Sequence, residues 1–334
     1  MQFRQPSLLY NEKGNVRTVG YELEFSNVSI KDAVQIIQDL YGGEVQPVGR
    51  FKQKVVNTTI GDFTVEFDST LLTEKRYKKV FDTFNIKPEE IMMGANTLEN
   101  EVETALESIV GKIMPYEIAC PPVPIPDLEQ LEKLRIELYK QGAEGTHAFI
   151  TNAYGTHINI EVPDTSPQSL LNYIRALILL HPWLLEAGHT DLARKMSPFI
   201  DPFPALYAEL VLVPGYQPDL DTLIRDYHTY NPDRNRPLDM YPVFASLNNE
   251  VVSQFSDLGK VKPRNTFHYR LPNSSISQPD WSLAQEWNLW VQVDELANDP
   301  NKLTQMSREY LILKAHTLLG FDTKWTKITE EWLS

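Results

Sequence analysis

Apolar and polar residues alternate in five short segments of the chain, which is the period of a β-strand with one buried face. The clearest segment reads GYELEF from Gly20, where apolar side chains alternate with the carboxylates of Glu22 and Glu24. Strands of this type occur in antiparallel sheets that pack one face against a core. The other four segments are residues 63–68, 116–118, 156–162 and 266–271.

Helix signals lie between these segments. Ser29, followed by Asp32, begins a helix that the pair Gly42 and Gly43 ends. Ser166 with Pro167 begins another, and Gly188 ends it. Further helices are predicted at about residues 72–83, 128–140, 281–297 and 303–319.

The strands and helices do not alternate regularly, which predicts an α+β fold rather than a parallel α/β fold. We expect a mainly antiparallel sheet with helices packed on one face and polar residues on the other. With 334 residues, 42% of them apolar, the chain can bury a sizeable core. No strong boundary divides it. We therefore predict a single domain over residues 1–334, with a largely helical insertion or subdomain at about 166–260 and C-terminal helices at about 281–320.

The polar positions of the five strands have an unusual composition. A solvated sheet face would explain each strand alone, but such a face normally includes Lys, Thr and Ser, and no lysine occurs among these positions. Clustered carboxylates repel one another unless a cation lies between them, and their oxygens suit Mg²⁺ or Mn²⁺. Histidine and arginine on the later strands can contact phosphate oxygens. The face therefore favours a nucleotide held by divalent metals. Its residues are Glu22, Glu24, Glu66, Asp68, Glu117, His157, Asn159, Glu161, His268 and Arg270.

A second polar cluster, residues 227–239, has two interpretations. Turn formation and helix capping explain the run that begins at Asn231. They explain Arg234, Arg236 and Asp239 less well, because arginines near a helix start oppose the helix dipole. Phosphate or carboxylate binding is the alternative, and the sequence leaves both interpretations open.

Charge and motifs exclude several classes of function. The net charge of −14 repels nucleic acid and anionic membrane surfaces, so neither is an expected partner. The chain has no Walker A loop, GxGxxG, HExxH or GxSxG motif. Cys120 is its single cysteine, and its start shows no apolar leader, so we expect a cytoplasmic protein.

Six segments, in this order, resemble the amidoligase family of carboxylate–amine ligases, which is related to glutamine synthetase and gamma-glutamylcysteine synthetase. The resemblance covers roughly residues 18–320. Each segment is weakly specific alone, but their order is typical of the family and not of one substrate. The segments are GYELE at 20–24, EFDS at 66–69, EIACPP at 117–122, GTHIN at 155–159, NPDRNRPLD at 231–239 and TFHYRLPN at 266–273.

The resemblance implies a glutamine-synthetase-like catalytic fold and an ATP- and Mg²⁺-dependent enzyme, with Mn²⁺ as an alternative metal. It would join a small carboxylate to the amine of an amino acid or peptide through an acyl phosphate, and it could form a homo-oligomer. By the resemblance, the metal ligands are Glu22, Glu24, Glu117 and His157. The resemblance also gives Asp68 and Arg270 catalytic roles. From the residues themselves, Glu66 is the alternative to Asp68 as the catalytic group that takes the proton of the amine, and the expected nucleotide or phosphate contacts are Arg234, Arg236, Arg270, Asn159 and His268.

Two residues depart from the family's pattern. Many relatives have histidine where Asn159 stands and glutamate where His268 stands, so the number of metals is open. Three other functions therefore remain as alternatives to the ligase. They are a small-molecule kinase on the same scaffold, a catalytically inactive binding protein and a metal-dependent hydrolase.

Overall fold

The structure is a computed structural model that describes residues 1–49, 52–67, 115–146, 154–196, 200–259 and 261–334. Two predictions, the helix at about 72–83 and the catalytic role of Asp68, fall outside the described residues.

A single antiparallel sheet organises the described part of the chain, and every strand pairing in it is antiparallel. The strand order is β2-β3-β4-β5-β1-β7-β9-β8, and β6 pairs with β1. This confirms the predicted α+β class with a mainly antiparallel sheet. The strands are β1 Thr18–Phe25, β2 Glu44–Gly49, β3 Lys52–Val56, β4 Phe63–Phe67, β5 Tyr116–Ala119, β6 Val123–Pro124, β7 Thr156–Glu161, β8 Leu238–Asp239 and β9 Thr266–Tyr269.

The helices begin where the capping signals predict. The side chain of Ser29 accepts a hydrogen bond from the backbone N–H of Asp32, and Ser166 accepts one from Ser169. Among the described residues, no helix is both long and apolar enough to cross a membrane. The helices are α1 Ile30–Tyr41, α2 Glu129–Lys140, α3 Pro167–Ala187, α4 Leu192–Met196, α5 Ala205–Leu212, α6 Leu220–Tyr230, α7 Tyr241–Leu247, α8 Asn249–Val252, α9 Leu283–Ala297, α10 Pro300–His316 and α11 Phe321–Leu333.

Two differences separate the structure from the sequence prediction. Strands β2, β3, β6 and β8 were not predicted, because they are very short or carry proline, glycine and lysine rather than a clear alternation. Helix α11 was not predicted either. Residues 166–260 contain α3 to α8, but the interpretation of this stretch as an insertion within one domain stays a prediction.

The long helix α3 and helix α9 pack on the apolar face of the sheet at β9. The ring of Tyr173 on α3 lies 4.3 Å from the ring of Phe267 on β9, measured between centroids, and Trp290 on α9 contacts Phe267 and Tyr269. Because strand side chains alternate, this packing directs the carboxylates of β1 to the opposite face.

A buried ion pair ties the sheet to these helices. Arg17, just before β1, and Asp294, on α9, both have fully buried side chains, and their charged atoms are 2.8 Å apart. The hydroxyl of Tyr173 donates to the same oxygen of Asp294 at 2.9 Å. Arg17 also donates to the backbone carbonyls of Leu8 and Glu161. Each charge in this group therefore has its partner.

Replacing Asp294 with alanine is expected to destabilise the protein strongly. The guanidinium of Arg17 would stay buried without a carboxylate, which costs about 3–5 kcal/mol of unfolding free energy. Chemical denaturation measures this loss. The matched control is Glu330→Ala on the exposed face of α11, which should change the unfolding free energy by no more than about 0.5 kcal/mol. Equal, small effects of both substitutions would contradict a structural role for the pair.

Candidate active site

The polar face of the sheet carries a row of carboxylates from three neighbouring strands. Glu66 on β4 lies opposite Glu117 on β5, and Glu117 lies opposite Glu24 on β1. Directly opposed side chains in an antiparallel pair are neighbours, so the row brings together three residues that the sequence predicted. At its outer end Lys52 on β3 forms an ion pair with Glu66. The sequence missed this lysine because it did not predict β3.

Beside this row, the carboxylate of Glu22 is contacted by side chains from β7, from β9 and from the loop before β9. One of its carboxylate oxygens, Oε1, accepts from the amide of Asn159 at 3.0 Å and lies 3.4 Å from a guanidinium nitrogen of Arg264. The other, Oε2, is 3.1 Å from Nδ1 of His157 and 3.4 Å from Nε2 of His268. Arg264 was not among the predicted site residues. It lies in the loop before β9, where the sequence has no strand pattern.

Three of these residues form a possible metal site. One ligand atom from each of Glu22, His157 and His268 lies within 4.8 Å of the others. Glu22 and His157 are predicted metal ligands. The structure adds His268, which was predicted as a phosphate contact, to the same group. The cluster forms because β1, β7 and β9 are neighbours, with Glu22 opposite His157 and Asn159 opposite His268.

The ionisation states of Glu22 and His157 suit metal binding. Burial lowers the pKa of His157 to about 3, with only partial compensation from Glu22, so its imidazole is neutral at neutral pH. Burial alone would raise the pKa of Glu22, but the two histidines outweigh it and hold this pKa well below its usual value. Neutral imidazole and ionised carboxylate are the forms that bind metals.

The buried carboxylate of Asp239 orients His268 by contacting Nδ1, the ring nitrogen that does not face Glu22. Its Oδ2 lies 3.2 Å from Nδ1 of His268 and accepts from Arg234 at 2.8 and 2.9 Å. Burial opposes the charge of Asp239, yet Arg234 and His268 hold its pKa well below the usual range. Nε2 of His268 is buried and has no hydrogen-bond partner among the described residues. The ring therefore presents this nitrogen to Glu22.

Arg270 is a cation of the site that has no carboxylate within ion-pair distance in the part of the chain that the structure describes. It directly follows Tyr269, the last residue of β9, and its positive charge helps to lower the pKa of His157. It donates to the backbone carbonyl of Arg234 at 2.7 Å. Among the described residues no ion pair involves Arg270, and its buried Nε has no hydrogen-bond partner. Its positive charge is thus available to an anionic ligand.

The two loop arginines predicted as phosphate contacts have internal partners. Arg234 binds Asp239, as described above. Arg236 donates to the side chain of Asn231 at 2.9 Å and lies 3.6 and 3.8 Å from carboxylate oxygens of Asp233 and Asp201. Arg236 therefore fits the turn-and-capping interpretation of this loop, whereas Arg234 supports the site through Asp239.

Arg194 on α4 is a site residue that the sequence did not indicate. Its buried guanidinium lies over Gly155, and it donates to the backbone carbonyl of Arg270. Burial lowers its pKa to about 10, which the carboxylate of Glu24 partly offsets, so the group stays charged. Gly155, in turn, donates its N–H to Glu24 at 2.6 Å. Helix α4 has only five residues and lies far from Gly155 in the sequence, so no local pattern predicts that Arg194 contacts this site.

Replacing Gly155 with alanine is expected to displace the guanidinium of Arg194. An added Cβ would lie 2.6 Å from one guanidinium nitrogen of Arg194 and 2.9 Å from the other. We expect Gly155→Ala to lower the unfolding free energy by about 1–3 kcal/mol, measured by chemical denaturation. The control is Gly215→Ala, where a Cβ would meet nothing within 4 Å. If the two variants have the same stability, Arg194 does not depend on the open space at Gly155.

Comparison with known proteins assigns this site to a family. The sequence model of the family described as "putative amidoligase enzyme" matches residues 15–292, which include the acidic row, Glu22, His157, Asp239, His268 and Arg270. Comparison with the curated proteins and with the solved structures found no match. The family match covers most of the chain, as the resemblance predicted. This protein belongs to the amidoligase family.

Proposed function

We propose that the protein is an ATP-dependent ligase that joins a carboxylate to an amine with the help of a divalent metal, Mg²⁺ or Mn²⁺. The observation that carries this proposal is Arg270, which has no carboxylate partner within the described part of the chain and whose charge acts on His157 of the Glu22–His157–His268 group. Phosphoryl transfer from ATP requires both a metal and a cation at the phosphate oxygens.

The donor set fits a metal. Glu22, His157 and His268 would hold one ion, and the adjacent carboxylates Glu24 and Glu117 would hold a second. A bound metal would neutralise charge on the phosphate oxygens of the nucleotide. The buried Nε2 of His268 supports this assignment, because it lies 3.4 Å from Glu22 but makes no hydrogen bond among the described residues, and a buried polar atom without one is costly.

The chemistry needs activation because a carboxylate and an amine do not condense in water. In the proposed reaction a carboxylate oxygen bonds to the γ-phosphorus of ATP, and the bond from that phosphorus to ADP breaks. The amine nitrogen then attacks the acyl carbon, and phosphate leaves with the carbon–oxygen electron pair. Arg270 would stabilise charge on the phosphoryl group during the first step. Glu66 or Asp68 would take the proton that the amine must lose before it attacks.

The positions of Glu66 and Lys52 bear on this second role. Lys52 neutralises Glu66 at the outer end of the acidic row, away from the Glu22 cluster. A carboxylate already paired to an ammonium group can bind the amine of a substrate by exchanging one cation for another. We therefore place the amine on the side of β3 and β4, and the nucleotide on the side of β7 and β9.

Nucleotide binding provides the first test. Calorimetric titration with a non-hydrolysable ATP analogue should show binding that requires a divalent metal. Glu22→Ala should abolish this metal-dependent binding, and Arg270→Ala should weaken binding by about 10- to 100-fold, the effect of a lost charged hydrogen bond. Arg308→Ala, which removes an exposed arginine on α10, is the matched control and should bind as the unchanged protein does.

Product analysis then separates the ligase from its alternatives. A ligase releases ADP and inorganic phosphate only when a suitable carboxylate and amine are both present. A kinase would yield ADP and a phosphorylated product without the amine. Binding of the analogue with no turnover for any substrate pair would indicate an inactive binding protein. Failure to bind the analogue with either metal would refute the ligase and kinase together.

A further inference from the structure

The identity of the metal follows from the atoms that face it. The Glu22–His157–His268 group offers one carboxylate oxygen and two imidazole nitrogens. Mg²⁺ is bound in proteins mainly by oxygen ligands and keeps several waters. Imidazole nitrogens are better ligands for first-row transition metals, and two imidazoles with one carboxylate form a recurrent site for such ions.

We propose that the Glu22–His157–His268 group selects a divalent transition metal, of the Mn²⁺ and Co²⁺ type, over Mg²⁺. The inference deepens the proposed function, on which it rests, by naming the class of metal that this site would supply to the ligase. It concerns this chain's own ligand set, in which His268 contributes a nitrogen.

The state of His268 is the main support. Its Nε2 is buried, lies 3.4 Å from Oε2 of Glu22 without the geometry of a hydrogen bond, and has no other partner among the described residues. A nitrogen placed in this way between ligand atoms suits an electron-pair acceptor. A transition metal accepts the electron pair of an imidazole nitrogen more readily than Mg²⁺ does.

Asp239 gives a second, independent reason. It contacts Nδ1 of His268 at 3.2 Å, and the two bonds from Arg234 fix its position. A carboxylate that accepts from the remote nitrogen of a histidine fixes its tautomer, so that Nε2 carries the lone pair, and makes it a stronger ligand. Asp239 is thus a positioning residue that acts on the metal through His268.

The geometry also allows an ion-pair network without a metal. In that arrangement a protonated His268 would bridge Glu22 and Asp239, with Arg264 and Arg234 completing the charges. The two arrangements differ in one measurable property, because only the metal site binds added ions with nitrogen coordination.

The experiment measures metal binding to the full-length, metal-free protein without nucleotide. Calorimetric titration should show Mn²⁺ and Co²⁺ binding about tenfold or more tightly than Mg²⁺. Bound Co²⁺ should show visible absorption shifted by nitrogen ligands, which provides a readout independent of activity. Equal or tighter binding of Mg²⁺ would overturn the inference and leave the ligase proposal intact.

Three variants test whether the preference for transition metals arises at His268. His268→Glu replaces the nitrogen with an oxygen and should reduce the preference for Mn²⁺ over Mg²⁺ severalfold or more. Asp239→Asn keeps every ligand and should weaken Co²⁺ binding by about 10- to 100-fold. His316→Ala removes an exposed histidine on α10 and should change neither affinity. Thermal unfolding of each variant verifies folding, and if Asp239→Asn does not fold, His268→Glu still tests the inference.

The remaining outcomes are also decisive. Absence of binding by all three metals would overturn the inference and favour the ion-pair network. The ligase proposal would then be judged by the titration with the ATP analogue and metal, which is a separate measurement. An unchanged metal preference in His268→Glu, or an equal loss in His316→Ala, would assign the binding to the protein surface and overturn the inference.

Discussion

The carboxylate of Glu22, held largely out of solvent on the central strand β1, is the constraint on which the rest of the site depends. A charge in this position must be compensated by nearby donors, since removing it from water is costly. The compensation comes from His157, Asn159 and His268 on two neighbouring strands, with Arg264 from a loop. The order and register of the strands therefore determine which groups compensate the charge of Glu22.

The same sheet face divides into an acidic side and a basic side. Glu66, Glu117 and Glu24 form the acidic row on β4, β5 and β1. Arg270 and Arg194 lie at the other side, near β7 and β9. Under the proposed function, the phosphates of the nucleotide would lie at the basic side and the separate amine substrate at the acidic side. Helices α3 and α9 pack on the opposite, apolar side of the sheet.

Several residues position the side chains of the site through contacts within the protein. Asp239 and Arg234 orient His268, and the missing side chain at Gly155 makes room for the guanidinium of Arg194. On the far side of the sheet, Arg17 and Asp294 join the start of β1 to α9. Apart from the Arg234–Asp239 ion pair, these contacts link residues distant in sequence, so loss of one of them is expected to act on several elements at once.

The sequence by itself determined which way the side chains of the main strands point. A period of two residues is local, so it placed Glu22, Glu24, Glu66, Glu117, His157, His268 and Arg270 on one polar face, and capping residues such as Ser29 and Ser166 gave the helix starts. Only the tertiary structure decided which of these residues are neighbours. It paired Lys52 with Glu66, placed His268 with the metal-binding group, and brought in Asp239, Arg264 and Arg194. These contacts depend on strand order, on two- to six-residue elements and on loops, and no local period along the chain encodes any of them.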